Sequence, residues 1–127
     1  MKLVLIIGFW LAAAIHLVPV VGLLGVDKLN ALYGLNISDP SLEVLMRHRA
    51  VMFGLLGGLL AYAPFRPTLV WPALIGGFVS ATSFIVIALL VGGYNGAVQG
   101  IVHGDLLALG GLVVAFIAAW RMPKGEK

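Results

Sequence analysis

Cysteine is absent from this 127-residue chain. The absence excludes disulfide bonds, thiol redox chemistry, thiolate-ligated zinc and covalent attachment of a c-type haem. Charge is also scarce, since Asp, Glu, Lys and Arg together make up 10% of the residues. The 8 basic and 5 acidic residues are too few and too scattered to form a nucleic-acid-binding surface. The sequence therefore predicts no nucleic-acid partner.

Long apolar runs dominate the chain, and hydrophobic residues make up 61% of it. Four runs cover residues 3–25, 44–63, 69–92 and 101–120. Each is close to the roughly 20 residues that an α-helix needs to cross about 30 Å of hydrocarbon. We therefore predict an all-α polytopic membrane protein, with residues 1–127 forming a single bundle of four transmembrane helices. The first run resembles a signal peptide but is too long for one, so we interpret it as a retained helix.

The basic residues around the four runs predict the orientation of the bundle. Four spans place both termini on the same side of the membrane. The terminal side carries five basic residues: Lys2, Arg66, Arg121, Lys124 and Lys127. The other side carries three: Lys28, Arg47 and Arg49. Because basic residues are enriched in cytoplasmic loops, we expect cytoplasmic termini and name the opposite side the outer side. Trp71, Trp120 and Tyr62 fit an aromatic belt at the cytoplasmic face.

The outer connection between the first two runs is the least hydrophobic part of the chain. Residues 27–33 are amphipathic enough to predict a short helix on the membrane surface. Asp39 and Pro40 then read as the N-cap and first position of a helix, with Glu43 in its first turn. The second transmembrane helix is therefore expected to begin at Pro40.

Small residues recur four positions apart in three of the runs, at Ala50, Gly54 and Gly58, and in the pairs Gly8 and Ala12, Gly104 and Ala108, and Gly111 and Ala115. Such spacing lets helix backbones approach closely in lipid. The pattern fits packing within one bundle, and it leaves open a homo-oligomer or a larger membrane complex.

A cluster of polar residues interrupts the apolar background on the outer side. Its rim consists of Arg47, His48, Arg49, His103 and Asp105, and its deeper floor consists of His16, Ser83 and Ser80. Buried charges in a membrane usually pair or serve a site, so we expect Asp105 to pair with Arg47 or Arg49. Pro19 cannot donate to the Ile15 carbonyl, which predicts an unpaired acceptor and a kink beside His16.

Each of these residues also has a purely structural interpretation. His16 can hydrogen-bond Ser83 across the bundle as interhelical packing. His48 and Arg49 can anchor in the lipid headgroups, and the pair with Asp105 can simply fix helix registry. Serine side chains commonly bond back to their own helix.

The types and positions of these residues restrict the chemistry. The three histidines lie on different helices without metal-ligand spacing, which disfavours both a metal site and a bis-histidine haem. No motif supports a serine nucleophile, so a catalytic residue is not identified. An apolar interior with an Arg, His and Asp rim suits an amphipathic molecule with a polar head, such as a quinone, an isoprenoid or a membrane phospholipid.

Three segments carry a distinctive order of residues: Leu32-Tyr33-Gly34, Asp39-Pro40 and Met46-Arg47-His48-Arg49-Ala50-Val51-Met52-Phe53-Gly54-Leu55-Leu56-Gly57. In these segments and in its four-helix layout, the chain resembles small bacterial membrane proteins of the DoxX-like group. The resemblance covers about residues 30–63 and implies a compact bundle in a bacterial inner membrane, with quinone-linked redox assemblies among its relatives. It transfers no catalytic residues to this chain.

Together these observations predict an outward-facing pocket for a lipid-like or quinone-like molecule, in a protein that acts alone or as a subunit of a redox assembly. The alternative is a noncatalytic accessory protein whose polar cluster only locks the helices together. The candidate ligand-binding residues are His16, Arg47, His48, Arg49, Ser83, His103 and Asp105.

Overall fold

The computed structural model describes residues 1–123 and is all-α, as expected. It contains helices α1 (Lys2–Leu17), α2 (Val26–Tyr33), α3 (Pro40–Tyr62), α4 (Pro67–Val91) and α5 (Gly96–Arg121). Two 3₁₀ segments, Val18–Leu24 and Ala63–Phe65, follow α1 and α3. Lys124 and Lys127, which enter the charge asymmetry, lie outside the described residues.

Four helical segments are long and apolar enough to cross a membrane, which confirms the predicted number of spans. They cover Lys2–Leu24, Pro40–Phe65, Pro67–Val91 and Gly96–Arg121, and each has 23 to 26 residues. Two helices begin before their apolar runs because a polar side chain caps them. Asp39 accepts a hydrogen bond from the Ser41 amide at 2.8 Å, which confirms its N-cap role. Asn95 likewise accepts from the Val98 amide at 2.9 Å.

The chain responds to Pro19 by tightening into a 3₁₀ helix. The expectation of an unpaired Ile15 carbonyl is wrong, since the Val18 amide donates to it. An i→i+3 bond of this kind supplies the partner that proline cannot provide. The change of helix type begins at Val18, two residues after His16.

The four long helices form a ring in which α1 and α4 each pack against both α3 and α5. The main core lies toward the termini and includes the fully buried side chains of Leu5, Phe9, Leu60, Leu74 and Leu112. Most other large apolar side chains point outward, as expected of helices that face lipid. The bundle thus has a dense half near the termini and a second half near α2, which we name the α2 end.

Glycine brings α1 and α5 into backbone contact. A Cβ atom at Gly8 would lie 2.5 Å from the Gly111 carbonyl oxygen, and one at Gly111 would lie 2.8 Å from the Gly8 carbonyl oxygen. These two glycines of the small-residue pattern therefore serve packing within the chain. A Cβ atom at Gly58, by contrast, would meet nothing within 4 Å, and this glycine is exposed on the outside of the bundle.

Helix α2 lies across one end of the bundle, which confirms the predicted short helix. Leu29 and Tyr33 on its inner face are buried together with Ile37, while Asp27 and Lys28 are exposed. The Asn95 side-chain amide donates to the Tyr33 carbonyl at 2.9 Å and to the Gly34 carbonyl at 3.0 Å. Gly34 has a φ of 62°, in the left-handed region that glycine adopts without strain. Helix α2 is thereby fixed to the first turn of α5.

Candidate functional site

A cavity of about 330 Å³ lies beneath α2, between α1, α3 and α5. Most of its wall is apolar and comes from Ile15, Val18, Pro19, Leu32, Phe53 and Ile101. Its polar side chains are those of Tyr33, Arg49 and Asp105. We name this space the α2 cavity. An apolar wall with a few convergent polar groups is typical of small-molecule sites.

Asp105 is the most unusual group in the α2 cavity. Its side chain is only 5% exposed, and it lies roughly 13 Å along α5 from Gly96 at a rise of 1.5 Å per residue. Within residues 1–123, no group hydrogen-bonds its carboxyl and no basic group lies within 4 Å of it. Among the described residues no side-chain oxygen that is fully closed off lacks a partner, so the unbonded Asp105 carboxyl keeps contact with the open space of the cavity.

The predicted ion pair between Asp105 and Arg47 or Arg49 is therefore wrong, because neither arginine lies within bonding distance of the carboxyl. Arg47 instead contacts Glu43 at 3.3 Å and donates to the Leu23 carbonyl at 3.1 Å. Both contacts are exposed and lie at the α2 end. Arg49 shares the α2 cavity with Asp105 and attracts it electrostatically, but from a greater distance.

Aromatic rings hold Arg49 in place. The Arg49 guanidinium carbon lies 5.2 Å, 4.9 Å and 5.3 Å from the ring centres of Tyr33, Phe53 and Phe84 respectively. A cation within about 6 Å of an aromatic face is attracted by the ring quadrupole. Burial raises the pKa of the Tyr33 hydroxyl, and the positive charge of Arg49 offsets part of that rise. The rings come from α2, α3 and α4, so Arg49 ties three helices together.

His16 has a packing role outside the α2 cavity. It is 1% exposed, and its Nδ1 lies 2.9 Å from the Ala12 carbonyl oxygen while its Nε2 lies 3.2 Å from Ser80 Oγ. The interhelical partner is thus Ser80, and the expectation of Ser83 is wrong. Ser83 is exposed and donates to the Ser80 carbonyl at 3.1 Å, a bond back to its own helix.

The remaining candidate residues lie around the periphery. His48 is exposed and lines a shallow groove of about 410 Å³ that it shares with Arg49 and Ser80. His103 and Arg47 are exposed and do not line the α2 cavity. Across residues 1–123 no three His, Asp or Glu side chains are grouped closely enough to hold a metal ion. Of the site residues predicted from the sequence, only Arg49 and Asp105 line the α2 cavity.

The aromatic residues of the α2 cavity and of the Arg49 contact are not predicted from the sequence. Phe53 follows Arg49 by one helical turn, a spacing that places side chains on the same face and could have indicated their contact. Tyr33 and Phe84 come from distant segments, and nothing in their local sequence indicates that they meet Arg49. Ser80 belongs to the predicted floor, but its bond to His16 is not predicted.

The α2 cavity, which α2 covers, opens sideways. Val18 lines it and is 53% exposed, and Gly100 on the opposite wall is also exposed. Both residues belong to segments able to cross a membrane. The opening therefore lies between the 3₁₀ segment Val18–Leu24 and α5, on the outer surface of two segments long and apolar enough to cross a membrane.

Comparison of the chain with protein-family models, with curated proteins and with solved structures gives no match. The interpretation of the α2 cavity rests on its geometry and chemistry.

Proposed function

We propose that this protein is a small integral membrane protein that binds a lipid-like or quinone-like amphipathic molecule in the α2 cavity. The observation that carries the proposal is the buried Asp105 carboxyl, which faces an apolar cavity without a partner among the described residues. The polar head of the ligand lies between Asp105 and Arg49, and its apolar part extends through the lateral opening. The resemblance to the DoxX-like group supports a place in a bacterial inner membrane and an association with a redox assembly.

The proposal predicts that Asp105→Asn loses a molecule that the wild-type protein retains. The substitution keeps the size of the side chain but removes its charge, so a bound polar head loses a charge-assisted contact. We expect the wild-type protein, purified in a mild detergent, to release a defined amphiphile on solvent extraction. Mass spectrometry should show that Asp105→Asn retains at most about one tenth as much, since such contacts are among the strong hydrogen bonds.

Asp27→Asn is the matched control because it makes the same chemical change at an exposed position of α2. It should retain the amphiphile at the wild-type level. Equal loss in both variants would contradict a site at Asp105, as would a wild-type protein that carries only the lipid mixture of its detergent micelle.

A noncatalytic accessory role is the second candidate, and the observation that favours it is His16. Both ring nitrogens of this buried histidine are used inside the chain, by the Ala12 carbonyl and Ser80. Part of the polar cluster thus locks α1 to α4. Under this alternative, extraction yields no defined amphiphile, so the extraction experiment separates the two functions.

The proposal also includes cytoplasmic termini, which place the α2 cavity in the outer half of the membrane. Among the described residues, Lys2, Arg66 and Arg121 lie at the terminal end. A periplasm-dependent phosphatase fused after Arg121 should be inactive, whereas the same reporter inserted at Gly93, between α4 and α5, should be active. The reverse pattern would turn the cavity toward the cytoplasm.

A further inference from the structure

We infer that the head bound in the α2 cavity is that of an amino-phospholipid, with its primary ammonium at Asp105 and its phosphate at Arg49. This inference rests on the proposed function and specifies its ligand class. It follows from the separation of two opposite charges within one cavity that is open to the lipid side.

The carboxyl of Asp105 requires a donor that carries positive charge. A primary ammonium has three N–H donors and a full charge, and therefore matches a buried carboxylate that has no partner. A quinone ring presents only carbonyl acceptors and would leave a carboxylate unsatisfied. The choline head of a related phospholipid has the charge but no N–H donor, so it matches Asp105 less well.

Arg49 supplies the complementary anion site. Its guanidinium lies against three aromatic rings, and of these only Tyr33 has an oxygen that can accept from its N–H groups, which leaves the other N–H groups for a ligand. Within residues 1–123 no carboxylate lies within 4 Å of it. Guanidinium binds phosphate through paired hydrogen bonds. Asp105 and Arg49 line the same cavity but lie more than 4 Å apart, and the head of an amino-phospholipid likewise keeps its ammonium and phosphate apart, by an ethylene bridge.

The size and opening of the α2 cavity agree with a headgroup instead of a whole lipid. A volume of about 330 Å³ is at the low end of the range of small-molecule sites, roughly 300 to 1,000 Å³. The acyl chains leave between Val18 and Gly100, where the wall is open toward lipid. The glycine at this position presents no side chain to block them.

The test compares short-chain phosphatidylethanolamine with phosphatidylcholine of the same chains, added to the delipidated full-length protein in detergent. Binding is measured by native mass spectrometry. We expect the wild-type protein to bind the ethanolamine lipid at least about tenfold more tightly, because only its ammonium can hydrogen-bond Asp105. In Asp105→Asn the ratio should fall to about one, and in Asp27→Asn it should remain at the wild-type value. Equal wild-type affinities for the two lipids overturn the inference, and so does a preference that persists in Asp105→Asn.

Glycerophosphoethanolamine, which has the same head without acyl chains, distinguishes a membrane lipid from a soluble amine phosphate. It should compete at least about tenfold less well than the short-chain lipid, since it buries no apolar surface. Equal competition would overturn the assignment to a lipid.

The outcomes also separate this inference from the proposed function. If the extracted protein carries an Asp105-dependent amphiphile without a primary amine, the cavity remains a binding site and the headgroup assignment is wrong. If it carries no defined amphiphile, both are wrong.

Discussion

Replacing Gly111 with alanine is expected to lower the free energy of unfolding by about 1 to 3 kcal/mol, the usual effect of overpacking a close contact. The new methyl group would lie 2.8 Å from the Gly8 carbonyl oxygen and 3.3 Å from the Leu11 side chain. Backbone cannot yield as a flexible side chain does, so α1 and α5 must separate. Because this contact joins two neighbouring helices of the bundle, we expect the variant to unfold at a lower temperature in detergent, measured by circular dichroism.

Gly110→Ala is the matched control on the same helix. Gly110 is exposed, and an added methyl group there meets nothing within 4 Å. Alanine is also favoured over glycine inside a helix by about 1 kcal/mol, so this variant should be neutral or more stable. Equal destabilisation of both variants would mean that the Gly8 and Gly111 contact does not hold the bundle together.

Arg49→Met should destabilise the protein by about 1 to 3 kcal/mol, although it removes a charge from an apolar environment. Methionine preserves much of the length and apolar stem of the side chain. It loses the attraction to the three rings of Tyr33, Phe53 and Phe84, each within 5.3 Å of the guanidinium carbon. The contact of α2 with α4 through Arg49 is lost with it. Chemical denaturation in mixed micelles measures the difference in free energy of unfolding between Arg49→Met and the wild type.

Two further variants make this prediction specific. Arg47→Met removes an exposed pair with Glu43 and an exposed hydrogen bond to the Leu23 carbonyl, and it should change the free energy of unfolding by at most about 1 kcal/mol. Arg49→Lys keeps the charge but loses the planar group that stacks on rings, so it should fall between Arg49→Met and the wild type. If Arg47→Met lowers the free energy of unfolding as much as Arg49→Met does, the aromatic rings contribute little to stability.

The sequence predicts the helices because their causes are local. An apolar run of sufficient length indicates a span, and Asp39 next to Pro40 marks a helix start wherever the helix later packs. Helical periodicity also gives the angle between two side chains on one helix. It does not give the rotation of one helix against another, and this is why the partner predicted for Asp105 is an arginine that it does not touch.

The polar contacts of His16 illustrate the same limit. Its depth in the bundle matches both Ser80 and Ser83, which lie about one turn apart on α4. The rotation of α4 relative to α1 determines which serine faces His16, and that rotation depends on the packing of all four long helices. Pro19 shows the opposite case, in which a local rule predicts too much. The Val18 amide replaces the missing proline donor, because a tighter turn is available.

The contact between Gly8 and Gly111 has a consequence for biosynthesis. It joins the first and last described helices, and the wall of the α2 cavity comes from both of them. As the chain emerges from the ribosome, α1, α2 and α3 are made before α5, and during this interval the α2 cavity lacks the wall that carries Asp105. The α2 cavity is therefore completed late, when α5 packs against α1 and Asn95 hydrogen-bonds the end of α2.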